Sequence, residues 1–240
     1  MIGKQMGNRD YSEYAEQVDL KDLVDSLADP GLSTDKYRET MTRLGNGLAR
    51  SVLDEVGCST NDIFVVCTVE DADYLAKGVI EKLEEAGFGS RTKLLCIWNG
   101  KVRDEGVSLS PILRQYKEPS SSSLATVIVV KSIISGACVV KTNLTRALSD
   151  INPESIFVVA PVIYEGAQTR LETEFPREVS TKFKYRWIAT DREKKDELVI
   201  PGVGGSVYER LGFEDERQKN RSTPAIVKRR RKEHSFSAAA

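Results

Sequence analysis

The stretch TVIVVKSIISGACVVKTNLTRALSD (126–150) decides how the rest of the chain is read. It opens with a β-branched run, TVIVV (126–130), that is continuous rather than alternating, as expected of a strand covered on both faces. A small-residue loop, KSIISGAC (131–138), follows. Val140, Leu144 and Leu148 then recur at helical spacing, in a helix that starts near Gly136. The same unit repeats outward in both directions. Short apolar runs occur at IFVVCT (63–68), KLLCIW (93–98), IFVVAPVI (156–163) and YRWIA (185–189). Between them, Tyr37, Met41, Leu44, Leu48, Val52 and Val56 recur every three or four residues behind a Ser33-Thr34 start signal. Tyr74, Leu75, Val79, Ile80 and Leu83 do the same and stop at Gly87. Strand and helix alternating over this length predict an α/β fold with a mostly parallel, doubly wound sheet and right-handed crossovers.

Three segments are expected from composition. Residues 1–33 are polar with one amphipathic helix (Leu20, Leu23, Val24, Leu27), residues 34–213 carry the α/β pattern, and residues 214–240 lose periodicity and read as a basic, flexible tail. The chain has 240 residues, 35 Lys and Arg against 36 Asp and Glu, and a formal charge of −1. That balance conceals an asymmetry. Arg217 to His234 holds eight cations and one acid, Glu233, which leaves 27 basic and 35 acidic residues elsewhere.

Several function classes are excluded or disfavoured. No run approaches the roughly 18 apolar residues of a membrane span, and the first residues lack the apolar core of a signal peptide, so a cytoplasmic location is the expectation. The four cysteines (Cys58, Cys67, Cys96, Cys138) show no CxxC spacing, and three sit in apolar runs, where Cys acts as a small hydrophobe. The single histidine, His234, lies in the tail. Ser-His or Cys-His catalysis and a His-containing zinc site have no histidine to use in the body of the chain.

In an open α/β sheet, ligands bind beyond the carboxyl ends of the strands. After 63–68 comes VEDAD (69–73). Glu70, Asp71 and Asp73 either complement a helix dipole or form a carboxylate set for a metal. After 126–130, the loop with Lys131, Ser132, Ser135, Gly136 and Ala137 either cradles a phosphate on its amides or permits close packing. After 185–189 come Asp191 and then VIPGVGGS (199–206). Its backbone at Ile200, Pro201, Gly202 and Gly204 either faces a planar ligand or makes a tight connection.

Together these segments resemble the uracil phosphoribosyltransferases, of the type I phosphoribosyltransferase fold. IFVVAPVIYEGAQTRLETEFP (156–176) is similar to that family's strand, small-residue turn and Phe-Pro. WIATDREKKDELVIPGVGGSVYERLG (187–212) resembles its Asp, then Ile-x-Pro-Gly-x-Gly-Asp, then Arg-x-x-Gly segment. RDE (103–105), YKEP (116–119) and YRETMTRLGNGLARSVLDEVG (37–57) match further signals in order. The resemblance implies an N-terminal helical segment, a C-terminal base-site segment and a homodimer. Its chemistry would be transfer of ribose 5-phosphate from phosphoribosyl diphosphate (PRPP) to a uracil-like base with Mg²⁺, by holding two phosphate clusters around an oxocarbenium-like centre.

The chain departs from the family where phosphates are held. Lys131-Ser132 stands where an acid would grip the ribose hydroxyls, inverting the charge. Ser135-Gly136-Ala137-Cys138 replaces the Thr-Gly-Gly cradle. Thr68, Glu70, Asp71 and Asp73 occupy the pyrophosphate segment, where the family has Arg, and carboxylates there repel pyrophosphate by roughly 4 kcal/mol per close pair at an effective dielectric near 20. Gly205 replaces the Asp after Pro-Gly-x-Gly. The resulting expectation is a degenerate protein of this family, a pseudoenzyme that binds a protein, nucleic acid or nucleotide-like partner. Such proteins include accessory or effector components of bacterial defence systems. A basic cluster, Lys228, Arg229, Arg230, Arg231 and Lys232, points modestly to phosphates. The alternative is an active phosphoribosyltransferase, or a nucleotide-directed transferase or hydrolase, with rewired loops. There Lys131 would hold a phosphate, Glu70, Asp71 and Asp73 would hold Mg²⁺, and Asp191 or Glu165 would move protons.

Overall fold

A computed structural model describes residues 9–16, 19–104, 107–120 and 122–237. The strands are β1 (Arg9–Tyr11), β2 (Asp62–Thr68), β3 (Thr92–Asn99), β4 (Val102–Asp104), β5 (Val107–Leu109), β6 (Ile112–Lys117), β7 (Ala125–Val130), β8 (Ile133–Ile134), β9 (Pro153–Tyr164), β10 (Phe183–Asp191), β11 (Glu193–Lys195) and β12 (Leu198–Ile200). Among the described residues the main sheet runs β1-β10-β9-β7-β2-β3-β6, with β8 attached to β9. The five apolar runs are its five central strands, all parallel to one another. The mostly parallel α/β expectation therefore holds.

The continuity of those runs has a direct cause in the packing. Along β2, Ile63, Val65 and Cys67 face one core with the helices Leu20–Ser26, Thr34–Arg50 and Lys77–Leu83. Phe64 and Val66 face a second core with the helices Cys138–Leu148 and Ala167–Glu172. A strand covered on both faces has no polar side to alternate. Strands β1 and β6 carry RDY and ILRQYK, lie at the two sides of the sheet, and pair antiparallel with one neighbour each. Charged residues are admissible there, so no apolar run announces them.

The connections set the site. From β2 the chain moves through β3 to β6 on one side, and from β7 through β9 to β10 on the other. The order reverses between β2 and β7, which is the topological switch point of a doubly wound sheet. Thr68 and Lys131 leave the carboxyl ends of those two adjacent strands.

The expectation of a flexible tail is corrected for residues through 237. Glu216–Arg221 and Ala225–Ser237 are helices. The Asp73 carboxylate accepts from the Ala225 and Ile226 amides at 2.8 and 2.9 Å, capping the second helix from a distant part of the chain. Ile226 and Val227 enter the first core. Arg230 is buried, with Nη1 donating to Glu118 at 3.0 Å and Nη2 to Glu84 at 2.7 Å. With two apolar residues and a buried arginine as anchors, this helix has too little hydrophobic periodicity to show in sequence. Glu118→Ala should cost about 3 kcal/mol, read as a lower urea midpoint, because it removes the buried one of the two carboxylates on Arg230 and the acceptor of the Leu94 amide. Glu233→Ala on the exposed side should change stability by less than about 0.5 kcal/mol. Equal small effects would mean that Arg230 does not anchor the helix.

Candidate functional site

At the switch point the first groups beyond β2 and β7 meet each other. Lys131 Nζ lies 2.8 Å from Asp71 Oδ2, 3.2 Å from Glu70 Oε1 and 3.4 Å from Thr68 Oγ1. Thr68 Oγ1 donates to Asp71 Oδ2 at 2.8 Å. The side chains are 13% exposed for Lys131, 14% for Glu70 and 0% for Asp71. Lys219, from the C-terminal segment, closes the arrangement from above, with Nζ 3.8 Å from Glu70 Oε2 and 5.9 Å from the Tyr208 ring centre. Two lysines and two carboxylates thus neutralise one another in the crevice where a doubly wound sheet takes its ligand.

Burial alone would raise the Glu70 pKa, but the ammonium groups of Lys131 and Lys219 outweigh it and hold the carboxyl near 2. Burial likewise opposes the charge on Lys131, and Asp71 and Glu70 overcome it, pushing its pKa up. Glu70 and Lys131 are thus each held in their charged forms by the opposite charges packed around them.

This arrangement corrects two expectations. Lys131 is not presented to a phosphate, since its ammonium is spent on Asp71 and Glu70. Glu70, Asp71 and Asp73 do not converge on a metal, because Asp73 is turned away to cap the Ala225–Ser237 helix. Among the described residues no group of three or more His, Cys, Asp or Glu side chains could hold a metal ion. An Mg²⁺ ion does not fit here, because the ammonium of Lys131 already fills the place between the two carboxylates. The loop that follows is half-buried over Ser135 to Ala137, while Ser132 is fully buried. Gly136 has no atom within 4 Å of where a Cβ would stand, so close packing does not explain its small side chain.

The turn expected to face a base is held from behind. Asp191, 0% exposed, accepts from Arg9 Nε at 2.7 Å, from Arg9 Nη2 at 2.8 Å and from the Gly202 amide at 2.7 Å. Arg9 Nη2 also donates to the Gly202 carbonyl at 2.6 Å, and Arg9 Nη1 to Asp25 at 3.0 Å. Tyr37 donates to the Val203 carbonyl at 2.9 Å. The Gly202 amide is therefore engaged by Asp191, and its carbonyl already accepts one hydrogen bond from Arg9. Gly204 has a φ of +78°, and a Cβ there would lie 2.0 Å from the Leu27 carbonyl oxygen. The helix Leu20–Ser26 and its exit thus pack directly on this turn. The Ile200–Pro201 bond is cis, and Ile200 is 38% exposed. Asp191 has no room to act as an acid or base, since its carboxylate holds together the N-terminal segment, the end of β10 and the glycine turn. Glu165 is on the surface, with Arg192 Nε 2.8 Å away.

The basic cluster divides. Arg230 is buried and structural, whereas Lys228, Arg229, Arg231 and Lys232 are exposed. The side chains of RDE (103–105) lie outside the described residues. Sequence reasoning missed Arg9, Asp25, Tyr37 and Lys219, whose partners are distant in the chain. The one available signal was the Arg9-Asp10-Tyr11 triplet, an Arg two residues before a strand-forming Tyr in an otherwise polar segment.

No protein-family model matches the chain, and no curated protein matches it. The AQ2163 protein from Aquifex aeolicus superposes with a TM-score of 0.63 at 17% identity, covering 82% of this chain and 95% of that one. The two share a fold. Hypoxanthine phosphoribosyltransferase from Trypanosoma cruzi, in complex with the product IMP, aligns at a TM-score of 0.40 and 12% identity over 63% of this chain and 76% of its own. A hypothetical protein from Neisseria gonorrhoeae with bound ppGpp aligns at 0.40 and 11% identity over 67% and 82%. Among the described residues no helix is long and apolar enough to cross a membrane.

Lys131→Met should destabilise the fold by about 3 kcal/mol, because it takes the only ammonium from the buried Asp71 carboxylate and leaves Glu70 to Lys219 alone. Thermal melts would register this as a lower midpoint, and an unchanged midpoint would contradict the pairing. The pH dependence has a definite sign. Glu70, lowered from 4.5 to about 2, stabilises the fold above pH 4.5 and loses that contribution as pH falls towards 2. Lys131, raised above 10.5, contributes below that pH and loses its contribution as pH rises beyond it. The stability gap between wild type and Glu70→Gln should therefore be full above about pH 5 and shrink steadily below 4.5. A gap that widened on acidification would exclude the assignment.

Proposed function

We propose that this chain is a phosphoribosyltransferase-like protein that has given up PRPP chemistry and works by binding. The observation that carries this reading is the Lys131 ammonium seated between Asp71 and Glu70 at the switch point. A PRPP molecule entering there would meet two carboxylates where its pyrophosphate should lie, and an ammonium in place of an acid for its ribose hydroxyls. Displacing the ion pair would strand buried charges, at a cost of several kcal/mol that binding would have to exceed. The base turn supports the same reading, because both backbone groups of Gly202 are engaged by Asp191 and Arg9. A uracil-type base would find its recognition edge already taken. A role as an accessory or effector component, as in bacterial defence systems, belongs with this reading, and so does a partner or nucleotide-like ligand held away from the crevice.

Calorimetric titration of the purified protein with PRPP and Mg²⁺ tests it. No heat of binding is expected up to millimolar PRPP. A Kd below about 100 μM, roughly −5.5 kcal/mol, would require phosphate contacts that the paired crevice does not offer. That result would return the protein to the enzymes, and release of pyrophosphate with a panel of bases would then be the assay.

A further inference from the structure

Residues 214–237 form a strap that is held to the sheet differently from the rest of the chain. The part just before it is firmly fixed. Leu211 is buried, and its carbonyl accepts from Arg38 Nε at 3.1 Å and Nη2 at 2.8 Å. Gly212 then turns the chain with a φ of +87°. Among the described residues of the strap, only Ile226 and Val227 enter a hydrophobic core. The rest of its hold is mainly polar and reaches distant elements. Lys219 Nζ lies 3.8 Å from Glu70 Oε2. Arg114 Nη2 donates to the Asn220 and Ser222 carbonyls at 2.9 and 2.6 Å, and Trp98 Nε1 donates to the Ser222 carbonyl at 2.9 Å. Asp73 caps the Ala225–Ser237 helix, and Arg230 sits on Glu118 and Glu84.

A segment held in this way opens more easily than the sheet beneath it. The free energy of local opening rises with the apolar surface that opening exposes. Buried ion pairs add little to it, because desolvating the charges offsets most of their attraction. The central strands are covered by apolar cores on both faces, whereas the strap contributes two apolar residues. Two of its anchors also share one short loop with the crevice. Glu70 receives Lys219 as well as Lys131, and Asp73, three residues on, receives the amides of Ala225 and Ile226. Lifting the strap removes both contacts and leaves Lys131 as the one cation on Glu70 and Asp71.

We propose that residues 214–237 are a latch on the crevice: they leave the sheet as one unit, and their departure loosens the contact between the loops after β2 and β7. The released form is a minor state, and a partner that binds it in preference to the latched form raises its population. This goes beyond the loss of PRPP chemistry and does not rest on it.

Hydrogen exchange of the full-length protein without ligand, read by mass spectrometry, tests the latch. Amides of residues 216–221 and 226–234 should exchange together, and faster than those of β2 and β7. Lys219→Met should speed both helices and the loop 131–138 by about fivefold, the equivalent of one ion pair that water partly reaches, and leave β2 and β7 unchanged. Asp73 caps only the second helix, yet Asp73→Ala should speed the first as well. Arg217→Gln, which alters an exposed charge on the first helix, should change neither. The latch is overturned if the strap exchanges no faster than the central strands, or if Asp73→Ala acts on the first turn of the second helix alone. It is also overturned if the loop 131–138 of Lys219→Met exchanges as in wild type. The PRPP titration measures heat from an added ligand and exchange is followed with none, so each reading can fail without the other.

Discussion

An ammonium group withdrawn from water keeps its charge only where fixed anions replace its hydration shell. Lys131 meets that condition through Asp71 and Glu70, and this requirement organises the centre of the molecule. It ties the loop after β7 to the loop after β2, across the gap where the strand order reverses. In an open sheet that gap is the natural ligand crevice, since the helices on either side diverge there. Here the divergence is spanned by charge. The family that the sequence resembles would place an acid on the β7 loop and a base on the β2 loop. This chain carries the opposite sign on each, and the two loops meet in one internal contact.

Two further buried charge clusters bring the chain termini onto the sheet. Arg9 links Asp191, Asp25 and the Gly202 carbonyl, so the N-terminal segment, the end of β10 and the glycine turn move as one unit. Arg230 links Glu118 and Glu84 and holds the C-terminal helix against β3 and β6. Hydrophobic burial has no preferred geometry, whereas a guanidinium paired in a dry site does. The terminal segments contain few apolar residues, and charge supplies the positional information that packing alone would not. Lys219 connects this C-terminal arrangement to Glu70, so the strap over the sheet and the closed crevice are electrostatically continuous.

At the switch point lysine and carboxylate cancel each other inside the molecule. On the Ala225–Ser237 helix Arg230 is buried on Glu118 and Glu84, Arg229 lies beside Glu84 and Glu233, and Lys228 and Lys232 are exposed. The two regions place positive charge differently, buried and paired in the crevice and partly exposed on the helix.

Much of the architecture could be read from residue order. Continuous β-branched runs such as TVIVV and IFVVCT are intelligible only as strands covered on both faces, and the intervening helical spacing then requires a parallel, doubly wound sheet. The charge of each loop was legible too, because Lys131 puts a cation after β7 and VEDAD puts three carboxylates after β2. That Lys131 would pair with Asp71 was not legible, since 60 residues separate them and only the parallel pairing of β2 with β7 makes them neighbours. The same holds for Arg9 with Asp191, 182 residues apart, and for Arg230 with Glu118, 112 apart. Local periodicity reports which face of an element is dry, so the sequence by itself determined the five central strands, the helices between them and the sign of each loop. Ion pairs between distant segments leave no periodic trace, because a charged residue reads as exposed until its partner is known. Only the tertiary structure decided which charges are buried and which loops they hold together.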